Sequence, residues 1–349
     1  MLGMASRRGT YNRKVLGVDD VTDGEDAQMN YRKMGNTGLK LSEISLGAWI
    51  TFGDQIRESM AKQLIQQAYD AGVNFFDNAD VYANGRAEEV MGEAIKGLPR
   101  EGLVVSSKVY WRTMPGPTGR GLSRKHIMEA CHASLRRLGT DYLDLYFCHR
   151  YDHSTPLEEV VRAMDDLVHQ GKVHYWGTSE WRAAQIAEAH AIARQWGLYP
   201  PMVEQPQYSM FSRRRVEDEL SPAADALGFG MVTWSPLRFG VLTGKYNQGI
   251  PDEETRLTRD NEWRQKELTE DRLEMVRQLT QLADELGVSM AQLAIGWLLR
   301  LPQVSSVITG ATKPSQLEDN LAAAQVPQAL TEDILARIDT ILGSIDLVE

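Results

Sequence analysis

ESMAKQLIQQAYDAGVNFFDNA (58–79) decides the fold. Its first fifteen residues have the spacing of an amphipathic helix, and Gly72 closes that helix as a C-cap. From Val73 the chain turns apolar and β-rich, and the run ends on a polar side chain, Asp77. Helix, glycine, short buried strand and polar terminus make up one βα unit.

The unit recurs in both directions. Candidate strands begin at SEISLGAW (42–49), VNFFDNA (73–79), LVVSSK (103–108), LDLYFCH (143–149), VHYWGTS (173–179), MVEQPQY (202–208), GFGMVTWSP (228–236) and VSSVITGA (304–311). Several starts fall about 30 residues apart, room for one strand, one helix and two loops. Eight such units predict a closed (β/α)8 TIM barrel rather than an open sheet. Gly171 and Gly287 are further C-caps, and Ser289 with Gln292 forms a capping box. Upstream, YRKMGNTGLKLSEISLGAW (31–49) places Asn36 and Gly38 at the turn of an N-terminal β-hairpin. Residues 1–28, polar and shifting from basic to acidic, read as a flexible extension, with 29–349 a single barrel domain.

Composition narrows the classes of function. The chain has 349 residues, 42% of them hydrophobic and 25% charged, which excludes fibrous and largely disordered architectures. A net charge of −10 without a long basic block argues against nucleic-acid binding. No apolar run nears the roughly 18 residues of a membrane span, so no membrane insertion is expected. Two cysteines, Cys131 and Cys148, fit a cytoplasmic protein without a disulfide framework. In a strand, Cys148 faces opposite to His149 and belongs to the packing.

Familiar signatures are missing. No G-x-G-x-x-G opens a helix, and GVLTGKY (240–246) has the wrong spacing for a phosphate-binding P-loop. H-E-x-x-H, paired C-x-x-C and G-x-S-x-G are also lacking, so no metal is expected. The informative cluster is FFDNADVYANGRAEE (75–89), with Asp77 ending a strand and Tyr82 in the following loop. Lys108 and His149 close the next two strands. Singly, each has a bland role: Asp77 a cap, Tyr82 a loop aromatic, Lys108 a solvated charge, His149 a satisfied polar group. Together they share the catalytic mouth of a barrel. There a lysine lowers a tyrosine's pKa, an aspartate keeps the lysine charged, and an imidazole polarises a carbonyl.

Two further stretches suit an anionic ligand. In VSSVITGATKPSQLEDN (304–320), the loop after the last strand leads from Gly310 through Thr312 and Lys313 into a Pro-started helix bearing Gln316 and Asn320. Such a helix start is a recurrent phosphate site, although a plain glycine turn reads equally well from this stretch alone. In TWSPLRFGVLTGKY (233–246), Pro236 and Gly240 suit backbone close to a ligand and Lys245 adds charge. Arg256 is placed to close over a phosphate. The connections 111–122 and 238–267 are long enough to be lids. Trp49, Phe52, Trp111 and Trp263 are candidate walls of a substrate pocket.

These stretches, with LGAWITFGDQ (46–55), GRGLSRKHI (119–127), YLDLYFCHR (142–150), VRAMDDLVHQGKVHYWGTSEW (161–181) and EQPQYSMF (204–211), resemble the aldo-keto reductases. Within that superfamily the pattern resembles the voltage-gated potassium channel β-subunit type. The resemblance implies NADP(H) bound in extended form without a Rossmann fold, and reduction of a small aldehyde or ketone. Tyr82 is then the general acid, Lys108 its partner, Asp77 the lysine's ion pair and His149 the carbonyl-orienting group. It further implies Ser179 and Gln205 at the nicotinamide amide, near Trp49 and Asp77, with Trp234, Ser235, Pro236, Leu237 and Lys245 along the pyrophosphate. Gly310, Thr312, Lys313, Gln316, Asp319 and Asn320 would hold the adenosine and its 2′-phosphate. Channel β-subunits carry Asn at the His149 position and Arg at the Glu180 position, so His149 tilts the reading toward turnover. The resemblance also suggests a homo-oligomer, a tetramer as in the β-subunits, and a regulatory NADPH-binding module is the alternative function. A Schiff-base aldolase using Lys108 as nucleophile is a third reading.

Overall fold

The computed structural model describes residues 29–49, 51–53, 55–250, 255, 257 and 266–343. Eight parallel strands close the barrel: β3 (Ile44–Gly47), β4 (Phe75–Asp77), β5 (Val104–Val109), β6 (Leu143–Cys148), β7 (Val173–Ser179), β8 (Val203–Gln205), β9 (Gly230–Thr233) and β10 (Val304–Thr309). Each pairs with the next in chain order, and β10 returns to β3. The eight-unit barrel read from the spacing is therefore the observed fold, hairpin included: β1 (Tyr31–Lys33) runs antiparallel to β2 (Lys40–Ser42). The leader 1–28, Arg256 and Trp263 lie outside the described residues.

Side-chain alternation sorts each strand into two environments. Phe75, Val104, Leu145, Phe147, Val203, Val232 and Ile308 form one buried cluster, joined by Met34 and Leu41 of the hairpin. Their neighbours Phe76, Val105, Tyr146 and Cys148 belong instead to the larger core between barrel and helices. Continuing the inward parity by two residues along β4, β5, β6 and β8 reaches Asp77, Lys108 (by way of Ser106), His149 and Gln205. The site is thus the same inner face on which the apolar cluster stands, carried to the carboxyl ends of the strands.

The hairpin covers the opposite end. Asn36 N–H donates to Gly228 O at 2.8 Å, and Ser42 N–H to Asn74 Oδ1 at 2.8 Å, just ahead of β9 and β4. Gly35 is required there: its φ is +53°, and a Cβ would stand 2.3 Å from the Gly228 carbonyl oxygen. With one mouth plugged by backbone, the other is left for chemistry.

Helices α1 (Glu58–Asp70), α2 (Arg86–Ile95), α3 (Arg124–Leu138), α4 (Leu157–His169) and α5 (Ala183–Trp196) follow the first five barrel strands. Gly72, Gly171 and Gly287 have φ of +88°, +67° and +70°, as C-terminal glycines should. The capping box is complete, with Gln292 N–H donating to Ser289 Oγ at 3.0 Å and Ser289 N–H to Gln292 Oε1 at 3.2 Å. No helix among the described residues is long and apolar enough to cross a membrane.

Candidate active site

Lys108 is fully buried, and its ammonium spends all three hydrogens on protein acceptors: Asp77 Oδ2 at 2.7 Å, Asn78 O at 2.7 Å and Tyr82 Oη at 3.2 Å. Asp77 is equally engaged, since its Oδ1 accepts from Ser106 Oγ at 2.7 Å and Gln205 Nε2 at 3.0 Å. Tyr82 reaches the lysine because the chain behind it turns through three left-handed residues, Ala83, Asn84 and Gly85, at φ +46°, +54° and +89°. Left-handed Ala and Asn are costly and persist where surrounding structure imposes them. His149 stands edge-on to Tyr82 with ring centroids 5.9 Å apart, and its Nδ1 is buried without a partner among the described residues. The four groups placed together by strand-end reasoning do meet at one mouth.

Electrostatics here differ from the sequence reading in one respect. Lys108 was expected to lower the Tyr82 pKa, and it does pull downward. Burial is the larger effect, with Asp77 adding to it, so the hydroxyl sits above its ordinary value of 10. Tyr82 therefore holds its proton at neutral pH. Burial works to lower the Lys108 ammonium, but Asp77 and Tyr82 outweigh it and the net shift is upward. The Schiff-base reading needs a neutral amine with a free lone pair, and both the shift and the three spent N–H groups work against it. Burial, then Lys108 and Arg150, push His149 well below 6.5, so its ring is neutral. Burial and then Glu88 raise the Asp80 carboxyl well above 3.8, and the carboxylate in contact with the lysine is Asp77, at 2.7 Å.

The strand ends beyond form a shelf. Ser179 Oγ donates to Gln205 O at 2.9 Å. Glu180, a non-glycine residue at φ +61°, accepts from Gln207 N–H at 2.6 Å and from Trp234 Nε1 at 2.9 Å, and pairs with Arg215. One carboxylate thereby ties together the ends of β7, β8 and β9. Trp234 in turn packs edge-on against Trp49, which is 37% exposed, with centroids 5.4 Å apart. Ser235 (φ +58°), Arg238 (+43°), Phe239 (+56°) and Gly240 (+91°) are all left-handed. Arg238 is buried and anchored, donating to Glu267 Oε2 at 2.9 Å and Ser212 Oγ at 2.6 Å, while Arg272 joins Glu267 at 2.6 Å. Pro236 is buried, Leu237 half-buried, and Lys245 exposed above the Tyr246 ring.

After β10, Gly310 faces open space, and Lys313 is exposed at the cap of the helix Pro314–Ala322. Gln316 Oε1 accepts from Thr312 N–H at 2.8 Å, and Asn320 Nδ2 donates to Gly310 O at 3.3 Å. The Asp319 carboxylate is occupied by Ser289 Oγ at 3.0 Å and Gln292 Nε2 at 2.7 Å, so its present role is to dock one helix on another.

Of the expected pocket walls, Trp111 lies 6.3 Å from His149, edge-on, at the mouth. Phe52 is corrected: it is 1% exposed within the apolar core, where an aromatic gains most by leaving water. Four contributors were missed. Ser106, Asn78 and Glu180 act through geometry that a motif does not display. Arg150 stood in the quoted run YLDLYFCHR beside His149, and that adjacency was the available signal.

Residues 43–342 match the model of the Aldo/keto reductase family. The chain belongs to that family. It is 50% identical over 320 residues, 90% of this chain and 97% of the relative, to a probable voltage-gated potassium channel subunit beta of Arabidopsis thaliana. A protein described in the same words from Oryza sativa subsp. japonica is 49% identical over the same shares. As an aldo/keto reductase the chain is an oxidoreductase by kind, from a family that generally uses NAD(P)H. Features of the shelf suit a long dinucleotide: the orphaned buried Ser235 Oγ, the open Gly310, and Lys313 with no ion pair among the described residues.

Proposed function

We propose that this chain reduces aldehydes or ketones to alcohols with NADPH, and that Tyr82 delivers the proton. The observation that carries the proposal is the fully committed Lys108 ammonium between Asp77 and Tyr82. Bound NADPH supplies the hydride to the carbonyl carbon. Because Lys108 donates to Tyr82 Oη, the phenolic hydrogen is free to point away from the lysine, toward the carbonyl oxygen as it gains charge. When that proton leaves, the phenolate is stabilised by an ammonium already in contact, with no reorganisation required. Neutral His149 offers one ring N–H to the carbonyl oxygen and adds no charge of its own.

Ser179 and Gln205 at the nicotinamide end, Trp49, Trp234, Ser235, Pro236, Leu237, Gly240 and Lys245 along the middle, and Gly310, Thr312, Lys313, Gln316 and Asn320 at the adenosine end are the residues assigned to the cofactor. NADPH is favoured over NADH because Lys313, an exposed cation at a helix start, suits a 2′-phosphate. The test is oxidation of NADPH, with NADH as control, against a panel of neutral carbonyls. No turnover on any member would overturn the proposal.

The names of the two plant relatives support a second reading, an NADPH-binding cytoplasmic subunit of a potassium channel, self-associated as a homo-oligomer. Co-purification with a coexpressed channel, together with weak aldehyde turnover, is the result that would favour it.

A further inference from the structure

The substrate side of the mouth gathers arginines that have no carboxylate partner among the described residues. Arg120 and Arg150 each place the guanidinium carbon 5.6 Å from the centre of Trp111, the ring that adjoins His149. Arg112 lies on the same connection and is held by Gly116 O at 3.3 Å. None of the three pairs with a carboxylate among the described residues. Among the described residues Arg120 has ring contacts alone, with Tyr110 and Trp111. Arg150 uses Nη1 on His149 O and on Ser179 Oγ, leaving Nε and Nη2 without partners among the described residues. Asp152, beside this connection, has both oxygens taken up by Leu122 N–H, Ser154 and Thr155. In a chain of net charge −10, unpaired arginines gathered around one aromatic wall are a specific local feature.

We propose that this wall selects carbonyl compounds that carry an anionic group, carboxylate or phosphate, on the part of the molecule away from the reacting carbon, with Arg120 and Arg150 as the recognising cations. The inference rests on the reductase reading above and names its substrate class. Guanidinium forks bind either anion through paired N–H groups, and Trp111 offers a flat apolar face to the carbon skeleton between.

The experiment compares probes matched except for charge and capping methyl groups: 4-carboxybenzaldehyde against its methyl ester, and 4-formylphenyl phosphate against its dimethyl phosphate ester. Because Arg120 is exposed, the expected preference in kcat/KM for each anion over its neutral partner is modest, about fivefold. Raising the salt from about 0.05 M to 0.5 M should erase most of it, as screening shortens the reach of exposed charges. Arg120→Gln should shrink the preference and Arg120→Glu reverse it. Equal or lower kcat/KM for both anions, or a preference untouched by Arg120→Glu, overturns the inference while turnover of the neutral esters keeps the reductase reading intact. A preference confined to one pair identifies which anion the wall takes. Should none of the four be reduced, calorimetric titration with terephthalate and its dimethyl ester decides the anion preference by itself, and the reductase reading fails separately.

Discussion

The Lys108 ammonium lies 3.2 Å from the Tyr82 hydroxyl oxygen and 4.8 Å from the centre of its ring. It therefore faces both the atom that will become an oxyanion and the π-surface over which that charge spreads. Tyr82→Phe should keep the fold and the cofactor while lowering kcat by about 10²- to 10⁴-fold, the range for loss of a positioned acid. NADPH affinity by fluorescence titration and single-turnover reduction read the two effects apart. A variant retaining wild-type turnover would remove Tyr82 from the chemistry.

Lys108→Met tests the other half of that relationship. It removes the ammonium but leaves the phenol, with Asp77 now uncompensated in a buried site. The expected result is a kcat reduced by a similar factor, together with a lower midpoint for thermal unfolding, since an unpaired buried carboxylate costs about 3–5 kcal/mol. Lys108→Met with Asp77→Asn should recover most of the stability and none of the rate.

The pH profile follows from the directions of shift. Reduction needs Tyr82 protonated, and burial holds that proton to above pH 10. Neutral His149 has a pKa well below 6.5. Hence kcat/KM for a neutral aldehyde should be level from about pH 6.5 to 9 and fall only on the alkaline side. A limb centred near 6.5–7 that disappears in His149→Asn would show instead that a charged imidazole takes part.

Glu180 offers a test of the shelf. Its carboxylate holds Gln207 N–H, Trp234 Nε1 and Arg215 from a left-handed backbone position. Glu180→Ala frees all three and should cost about 2–3 kcal/mol of stability, as expected when partly buried donors lose a charged acceptor. It should also weaken NADPH binding by releasing Trp234. Glu180→Gln keeps one acceptor oxygen and should restore much of the affinity. Unchanged NADPH affinity in Glu180→Ala would separate Trp234 from the cofactor.

Much of this arrangement is written in local sequence. The recurrence of about 30 residues marks the βα units, and the polar residues that end apolar strands, Asp77, Lys108 and His149, are aimed by strand parity alone. What sequence does not display is how deeply a group is buried. Tyr82 illustrates this: the lysine's influence was legible, but the larger desolvation depends on packing contributed by distant segments. Phe52 fails for the same reason, because an aromatic after the first barrel strand reads as a pocket wall until the core closes over it. Left-handed Glu180, Arg238 and Phe239 are invisible for another reason, since only glycine and asparagine advertise that conformation.

Glu204 carries the remaining prediction, on stability rather than catalysis. It is fully buried on β8, where its oxygens accept from Thr178 Oγ1 and from Trp181 N–H at 3.2 Å. Burial raises its pKa from 4.5 to about 8, against the pull of those hydrogen bonds. Between pH 4.5 and about 8 the folded state thus keeps a proton that the unfolded state has released. Stability contributed by this group falls as pH rises through that window and levels off above it. Glu204→Gln retains an acceptor for Trp181 N–H and gains a donor toward Thr178, with no charge to bury. The variant should match wild type near pH 5 and exceed it at pH 8.5 by a few kcal/mol, on the order of the shift converted at about 1.4 kcal/mol per unit. Denaturant unfolding at the two pH values measures the difference. Parallel stability curves for the two proteins would mean that Glu204 is no more protonated in the folded chain than in the unfolded one.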